Sequence, residues 1–189
     1  MRTRFIAIAI VLLAAGLAGA CARTQRPADL AMRAQFNAPY RLASGDRVRV
    51  IVFGQDNLSN SFSVDGAGNI AMPLIGRVNA QGLTTADLER VVEQRLRNGF
   101  VREPQVSIEV EAYRPFFVLG EVTTAGQYPF INGMTVQDAV AVAGGFTPRG
   151  AQGDVDITRL VNGRPQTFAA PQTYPVRPGD TIAVRERFF

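Results

Sequence analysis

Gly82-Leu83-Thr84-Thr85-Ala86-Asp87 resembles Gly133-Met134-Thr135-Val136-Gln137-Asp138 further along the chain. In each stretch a threonine stands three residues ahead of an aspartate. The threonine can cap a first helical turn while the aspartate reaches back to it and sits well in the N-terminal dipole field, so both stretches predict helix starts. After the first, Leu88, Val91, Val92 and Leu96 fall at helical spacing, with Glu89, Arg90, Glu93 and Arg97 available for a solvated side and a stop near Asn98-Gly99. The second helix is shorter, built from Ala139, Val140, Ala141, Val142 and Ala143, and ends at Gly144-Gly145. Its small side chains suit close packing on a sheet. Gly144-Gly145 follows a helix instead of opening one, which is the wrong geometry for a phosphate cradle.

Strand signals surround both helices. Val48, Val50 and Val52 alternate with Arg47, Arg49 and Ile51, the period of a half-buried strand. Phe62-Ser63-Val64-Asp65 and Ile70-Ala71-Met72-Pro73-Leu74 flank Gly66-Ala67-Gly68-Asn69, which predicts a hairpin with Pro73 at an edge or an end. Asp65 reads as a turn residue, not a catalytic acid. Val106, Ile108 and Val110 share one strand face, and Glu109 and Glu111 the other. Paired carboxyls serve glycosidases, but these two lack the desolvating pocket that would raise one pKa. A composition shift at Tyr113-Arg114-Pro115 marks a boundary, after which Phe116–Val122, Gly126–Tyr128, Val155–Leu160 and Thr181–Val184 read as strands, with a turn at Asn162-Gly163. Gly-Asp precedes the first and last strands alike, as Gly45-Asp46 and Gly179-Asp180, each glycine letting the chain turn. The fold class is therefore α+β: two small mixed sheet-and-helix domains.

The N-terminus carries a different kind of signal. Arg2 and Arg4, an apolar run of about 16 residues from Phe5 and the small residues Ala18-Gly19-Ala20 after Leu17 make a secretory leader over residues 1–20. This run is shorter than the roughly 20 residues of a membrane span. Cys21 directly after it reads as a lipid attachment point, the alternatives being an uncleaved anchor or a secreted protein with a stray thiol. Three acyl chains would make release negligible, since two already hold a protein stably. Ala22 after the cysteine favours the outer membrane over the inner. Residues 21–39, rich in Ala, Arg and Gln with Pro27 and Pro39, read as a lipidated tether.

With Cys21 acylated, no thiol remains for disulfides, and the 189-residue chain has no histidine. That removes most transition-metal sites and every Ser-His or Cys-His nucleophile. No enzyme activity, metal or cofactor is expected. All 20 basic residues are arginine, and loss of Arg2 and Arg4 with the leader lowers the formal charge from +4 to +2. The arginines are dispersed, unlike the stripe of a nucleic-acid binder, so no nucleic acid partner is expected.

In order, Arg41-Leu42-Ala43-Ser44-Gly45-Asp46, Val64-Asp65, Gly68, Ile70, Pro73, Gly76, Gly82 and Thr84 resemble the polysaccharide export domain of bacterial outer-membrane polysaccharide export lipoproteins. Val118-Leu119-Gly120-Glu121-Val122, Gly126, Tyr128, Thr135-Val136, Asp138-Ala139, Ala143-Gly144-Gly145 and Pro178-Gly179-Asp180 resemble the soluble-ligand-binding β-grasp (SLBB) domain that follows it. The resemblance covers roughly residues 40–187. It implies an export domain over 40–112 and a β-grasp domain over 113–189, with Gly45, Asp46, Gly68, Thr84, Thr135, Gly144, Gly145, Gly179 and Asp180 as structural turn and cap residues. It further implies a homo-oligomeric ring around a passage for capsular or exopolysaccharide at the periplasmic face of the outer membrane, facing an inner-membrane co-polymerase. Unlike the longest family members, the sequence stops at Arg185-Glu186-Arg187-Phe188-Phe189. The expectation is a chain that does not itself cross the outer membrane and relies on a separate β-barrel, with Phe188-Phe189 read as a docking pair, as core packing or as a frayed end. A monomeric periplasmic carbohydrate- or peptidoglycan-binding lipoprotein is the alternative reading, and a polysaccharide-trimming enzyme a third.

Overall fold

The alternation Arg47–Val52 does form a strand, β1, with Val48, Val50 and Val52 buried and Arg47, Arg49 and Ile51 outward. The computed structural model describes residues 39–161 and 163–187. The leader, Cys21, the tether up to residue 38, Asn162 and Phe188-Phe189 lie outside the described residues. After β1 come a single 3-10 turn (Asp56–Leu58), β2 (Asn60–Ser63), β3 (Asn69–Met72), β4 (Gly76–Asn79), helix α1 (Thr85–Arg97) and β5 (Val106–Ala112). β1 lies between β2 and β5 in an antiparallel three-stranded sheet, with Val50 opposite Ile108 and Val48 opposite both Phe62 and Val110.

The hairpin expected across Gly66–Asn69 is not the pairing adopted. The chain does turn there, Asp65 N–H donating to Asn69 O at 2.9 Å, but β2 pairs with β1 while β3 pairs with β4 through the tight Pro73–Ile75 turn. Register follows the core: Ile70 opposite Val78 puts both at 0% exposure. Glu89 and Glu93 also depart from expectation. Instead of facing solvent, their carboxylates accept from the Ile108 N–H at 2.7 Å and the Val106 N–H at 3.1 Å on β5. β5 is the outer strand of its sheet, so α1 closes an edge whose donors would otherwise invite another chain.

The second half holds β6 (Phe116–Gly120), β7 (Gly126–Tyr128), helix α2 (Val136–Val142), β8 (Val155–Val161), β9 (Arg164–Ala170) and β10 (Thr181–Val184). Its five strands run in the order β7-β6-β10-β8-β9, with β10 parallel to β6 and every other pair antiparallel. First and last strands lying parallel at the centre, with the helix between them in sequence, is the β-grasp arrangement. The fit there is close: a Cβ on Gly120 would lie 2.1 Å from the Val184 carbonyl oxygen.

Each half closes its own core. Leu42, Val48, Val50, Ile70, Val78, Leu88, Val92, Leu96 and Ile108 pack in the first. Phe116, Val118, Val136, Ala139, Val140, Ile157 and Ile182 pack in the second. At about 1.5–3 kcal/mol for each large side chain buried, such clusters are the main term opposing chain entropy.

Both helices open on reciprocal caps. Thr84 Oγ1 accepts from the Asp87 N–H at 3.1 Å while Asp87 accepts from the Thr84 N–H, and Thr135 with Asp138 repeats the pattern. The Thr84 hydroxyl and then its N–H hold the Asp87 carboxyl below the ordinary aspartate value, and the Thr135 N–H and then its hydroxyl do the same for Asp138. A depressed native pKa contributes stability that is complete above the unfolded value of about 3.9 and is lost as pH falls through the native one. Melting temperature should therefore decline as pH falls below about 4. An Asp87→Asn, Asp138→Asn double variant should show a shallower acid limb in scanning calorimetry, and an unchanged slope would remove the caps from the explanation.

Candidate functional site

The two Gly-Asp turns are built alike. In the first, Asp46 N–H donates to Ala43 O at 3.1 Å and Asp46 Oδ2 accepts from the Ala43 N–H at 2.8 Å. In the second, Asp180 N–H donates to Arg177 O at 3.1 Å and Asp180 Oδ2 accepts from the Arg177 N–H at 2.8 Å. Glycine precedes each aspartate at positive φ, +93° for Gly45 and +83° for Gly179, a conformation other residues reach only with strain. Both aspartates are buried, at 0% and 1% exposure, and each meets an arginine.

Arg159 serves Asp180. Its Nε donates to Oδ1 at 2.8 Å and its Nη2 to Oδ2 at 2.7 Å, a planar fork matched to a carboxylate, while Nη2 also reaches Pro175 O at 3.1 Å. The guanidinium carbon stands 5.7 Å from the ring centres of both Phe168 and Tyr174. Burial disfavours the Arg159 charge, but the hydrogen bonds and charge of Asp180 outweigh it and hold the pKa above the usual arginine value.

Arg114 serves Asp46. Its backbone N–H donates to Asp46 Oδ1 at 2.9 Å, and its Nη1 lies 3.3 Å from Oδ2 and 2.9 Å from the Tyr40 oxygen. Tyr40 in turn donates its hydroxyl to Asp46 Oδ2 at 2.6 Å. Burial first, then that hydrogen bond, pushes the Tyr40 pKa well above the usual tyrosine value. Tyr113 packs edge-on to Tyr40 at 4.9 Å and to Phe130 at 5.4 Å. Arg114 also touches the other turn: a Cβ on Gly179 would lie 2.7 Å from Arg114 Nε, and one on Gly45 3.3 Å from Arg114 Cβ. One arginine thus fills the space left by two glycines, joining both Gly-Asp turns at the connection between the two cores.

The other residues singled out in the sequence lie apart from this junction. Gly68 sits in the turn before β3, its carbonyl accepting the N–H groups of Ala80 and Gln81. Gly144 and Gly145 close α2, Gly145 N–H donating to Val140 O at 2.9 Å, and Thr123 Oγ1 donates to Gly144 O at 2.8 Å. Asp65 accepts from the N–H groups of Ala67 and Asn69, both at 2.9 Å, which is a turn's work. Glu109 and Glu111 are exposed, and Glu111 pairs with Arg47 at 3.5 Å. Among the described residues, no group of three or more His, Cys, Asp or Glu could hold a metal ion, and no helix is long and apolar enough to cross a membrane. Sequence reasoning missed Tyr40, Arg114 and Arg159. The Tyr113-Arg114-Pro115 shift was the available signal, visible as a boundary but not as an ion pair.

Residues 34–111 match the family described as polysaccharide biosynthesis/export protein, and residues 115–169 match the SLBB domain. The exopolysaccharide production protein ExoF of Rhizobium meliloti (strain 1021) is 30% identical over 119 residues, covering 57% of this chain and 28% of that protein. The polysialic acid transport protein KpsD of Escherichia coli is 27% identical over 135 residues, covering 70% of this chain and 24% of that protein. The match thus spans about a quarter of the length of these curated relatives. The two matched domains make up the two halves of the α+β fold. The chain thus carries one polysaccharide biosynthesis/export domain followed by one SLBB domain.

Proposed function

We propose that this chain is a non-catalytic subunit of a conduit that carries capsular or exopolysaccharide out of the periplasm. The observation that carries the reading is the export-family match followed directly by the SLBB match, in a chain similar to proteins named for exopolysaccharide production and polysialic acid transport. Residues 1–20 are a leader, Cys21 takes the lipid that holds the chain to the periplasmic face of the outer membrane, and residues 21–39 are the tether. Residues 40–112 and 113–189 are the working domains, joined rigidly by Arg114. Copies form a ring with a hydrated lumen, which spares a chain of hydroxyls and carboxylates the desolvation cost of meeting hydrocarbon. An inner-membrane co-polymerase feeds the ring and a separate outer-membrane β-barrel completes the route. The buried carboxylates support a role without bond making, because Asp46 and Asp180 are both committed to arginines and turn amides.

The test is paired. Cells lacking the chain should lose surface polysaccharide, and Cys21→Ala should reproduce that loss while the protein still accumulates. The acylated protein in mild detergent should run as a multimer by light scattering. A lone particle together with normal surface polymer would favour a monomeric carbohydrate-binding lipoprotein instead.

A further inference from the structure

The turn after α1 exposes more apolar surface than its packing requires. Phe100 and Val101 donate their N–H groups to Leu96 O at 3.1 and 2.9 Å, so the chain is fixed there, yet Phe100 is 51% exposed. Phe53, 68% exposed, reaches the same end of the sheet, its N–H donating to Gln105 O at 3.0 Å. Between Arg97 and Glu103 lies an open cleft of about 430 Å³, lined by Arg97, Gly99, Phe100, Val101, Arg102 and Glu103. That falls within the range of roughly 300–1,000 Å³ typical of small-molecule clefts. Arg97 and Arg102 are both exposed, and among the described residues neither has an ion-pair or side-chain hydrogen-bond partner.

We infer that this cleft is a contact site for a carboxylate-bearing sugar unit of a polymer. The inference rests on the export reading above and names the chemistry of its cargo. The electron-rich face of Phe100 suits the weakly positive C–H face of a pyranose ring. The two guanidinium groups supply planar, paired donors for a carboxylate. Glu103 offsets one of the two charges and accepts from sugar hydroxyls, so the site attracts an acidic unit without trapping it. A passage needs that balance: binding strong enough to admit the cargo and weak enough to release it.

The experiment uses the purified full chain, titrated with an oligogalacturonate and with a neutral malto-oligosaccharide of equal length, followed by NMR at low and physiological salt. Binding of the acidic oligomer should exceed that of the neutral one and weaken with salt. Phe100→Ala should weaken it about 3- to 10-fold. An Arg97→Gln, Arg102→Gln double variant should weaken it tenfold or more and abolish the preference for acid. Arg164→Gln, an exposed arginine on β9, should change nothing, and circular dichroism of every variant should match the parent. Equal binding by the variants, or no preference for the acidic oligomer, overturns the inference. So does a change in self-association in place of sugar binding, which would make the cleft a contact between copies. Intact binding in a protein whose deletion leaves surface polysaccharide normal would sink the export reading alone.

Discussion

Asp180→Ala should lower the stability of the purified protein by about 3–5 kcal/mol, the cost of leaving one partner of a buried pair without the other. Arg159 would keep its charge at 8% exposure without the carboxylate that balances it, and the Arg177 N–H would lose its partner too. Single domains are stable by roughly 5–15 kcal/mol, so the second core would stand close to unfolding at ordinary temperatures. Urea denaturation followed by circular dichroism measures this. The double variant Asp180→Ala, Arg159→Ala should cost less than the sum of the single changes, because the stranded charge is then gone. Additive losses would mean that the pair is not coupled. Asp156→Ala, which breaks the exposed pair with Arg185, should cost far less, since solvent already screens that contact.

The contrast between these two aspartates shows where the sequence was legible. Local signals were readable: the Thr-x-x-Asp caps, the helical spacing from Leu88 to Leu96 and the alternation along β1 and β5 each reside in a few neighbouring residues. The Gly-Asp turns were readable for the same reason, because the aspartate bonds an amide three residues back. Their arginines were not. Arg159 lies 21 residues from Asp180 and Arg114 lies 68 from Asp46, and nothing in either neighbourhood names the other. β9, Arg-Pro-Gln-Thr-Phe-Ala-Ala, passed unnoticed because it is an outer strand that buries only Ala170 fully, so its pattern carries little apolar period. β4 was missed because it is short and buries Val78 alone. The wrong partner for β3 and the wrong side for Glu89 and Glu93 share one cause: pairing and edge protection are tertiary choices, fixed by which register buries Ile70 and Val78 and by where α1 lands.

Asp46→Ala carries the second large effect, and its consequence reaches beyond stability. Four donors converge on that carboxylate: the Tyr40 hydroxyl, the Ala43 N–H, and the Arg114 N–H and guanidinium. The loss should again be about 3–5 kcal/mol. Because Arg114 sits where the two cores connect, the change should also loosen residues 112–116, seen as faster hydrogen exchange at the Arg114 amide and earlier proteolysis at that connection. Tyr40→Phe separates the strands of this argument, as it removes one donor and leaves the Asp46–Arg114 contacts in place. It should cost less at neutral pH, and it should alter the alkaline limb. Tyr40 has a native pKa raised above its unfolded value of about 10, so the stability it contributes is complete below pH 10 or so and is lost as pH rises beyond. Parent protein should therefore weaken above about pH 10 more steeply than Tyr40→Phe does. Identical alkaline limbs would show that Tyr40 ionises as freely in the native chain as in the unfolded one. Fast exchange at Arg114 confined to Asp46→Ala, with Tyr40→Phe protected, would locate the rigidity of the connection in the ion pair and its amides, not in the hydrogen bond from the Tyr40 hydroxyl.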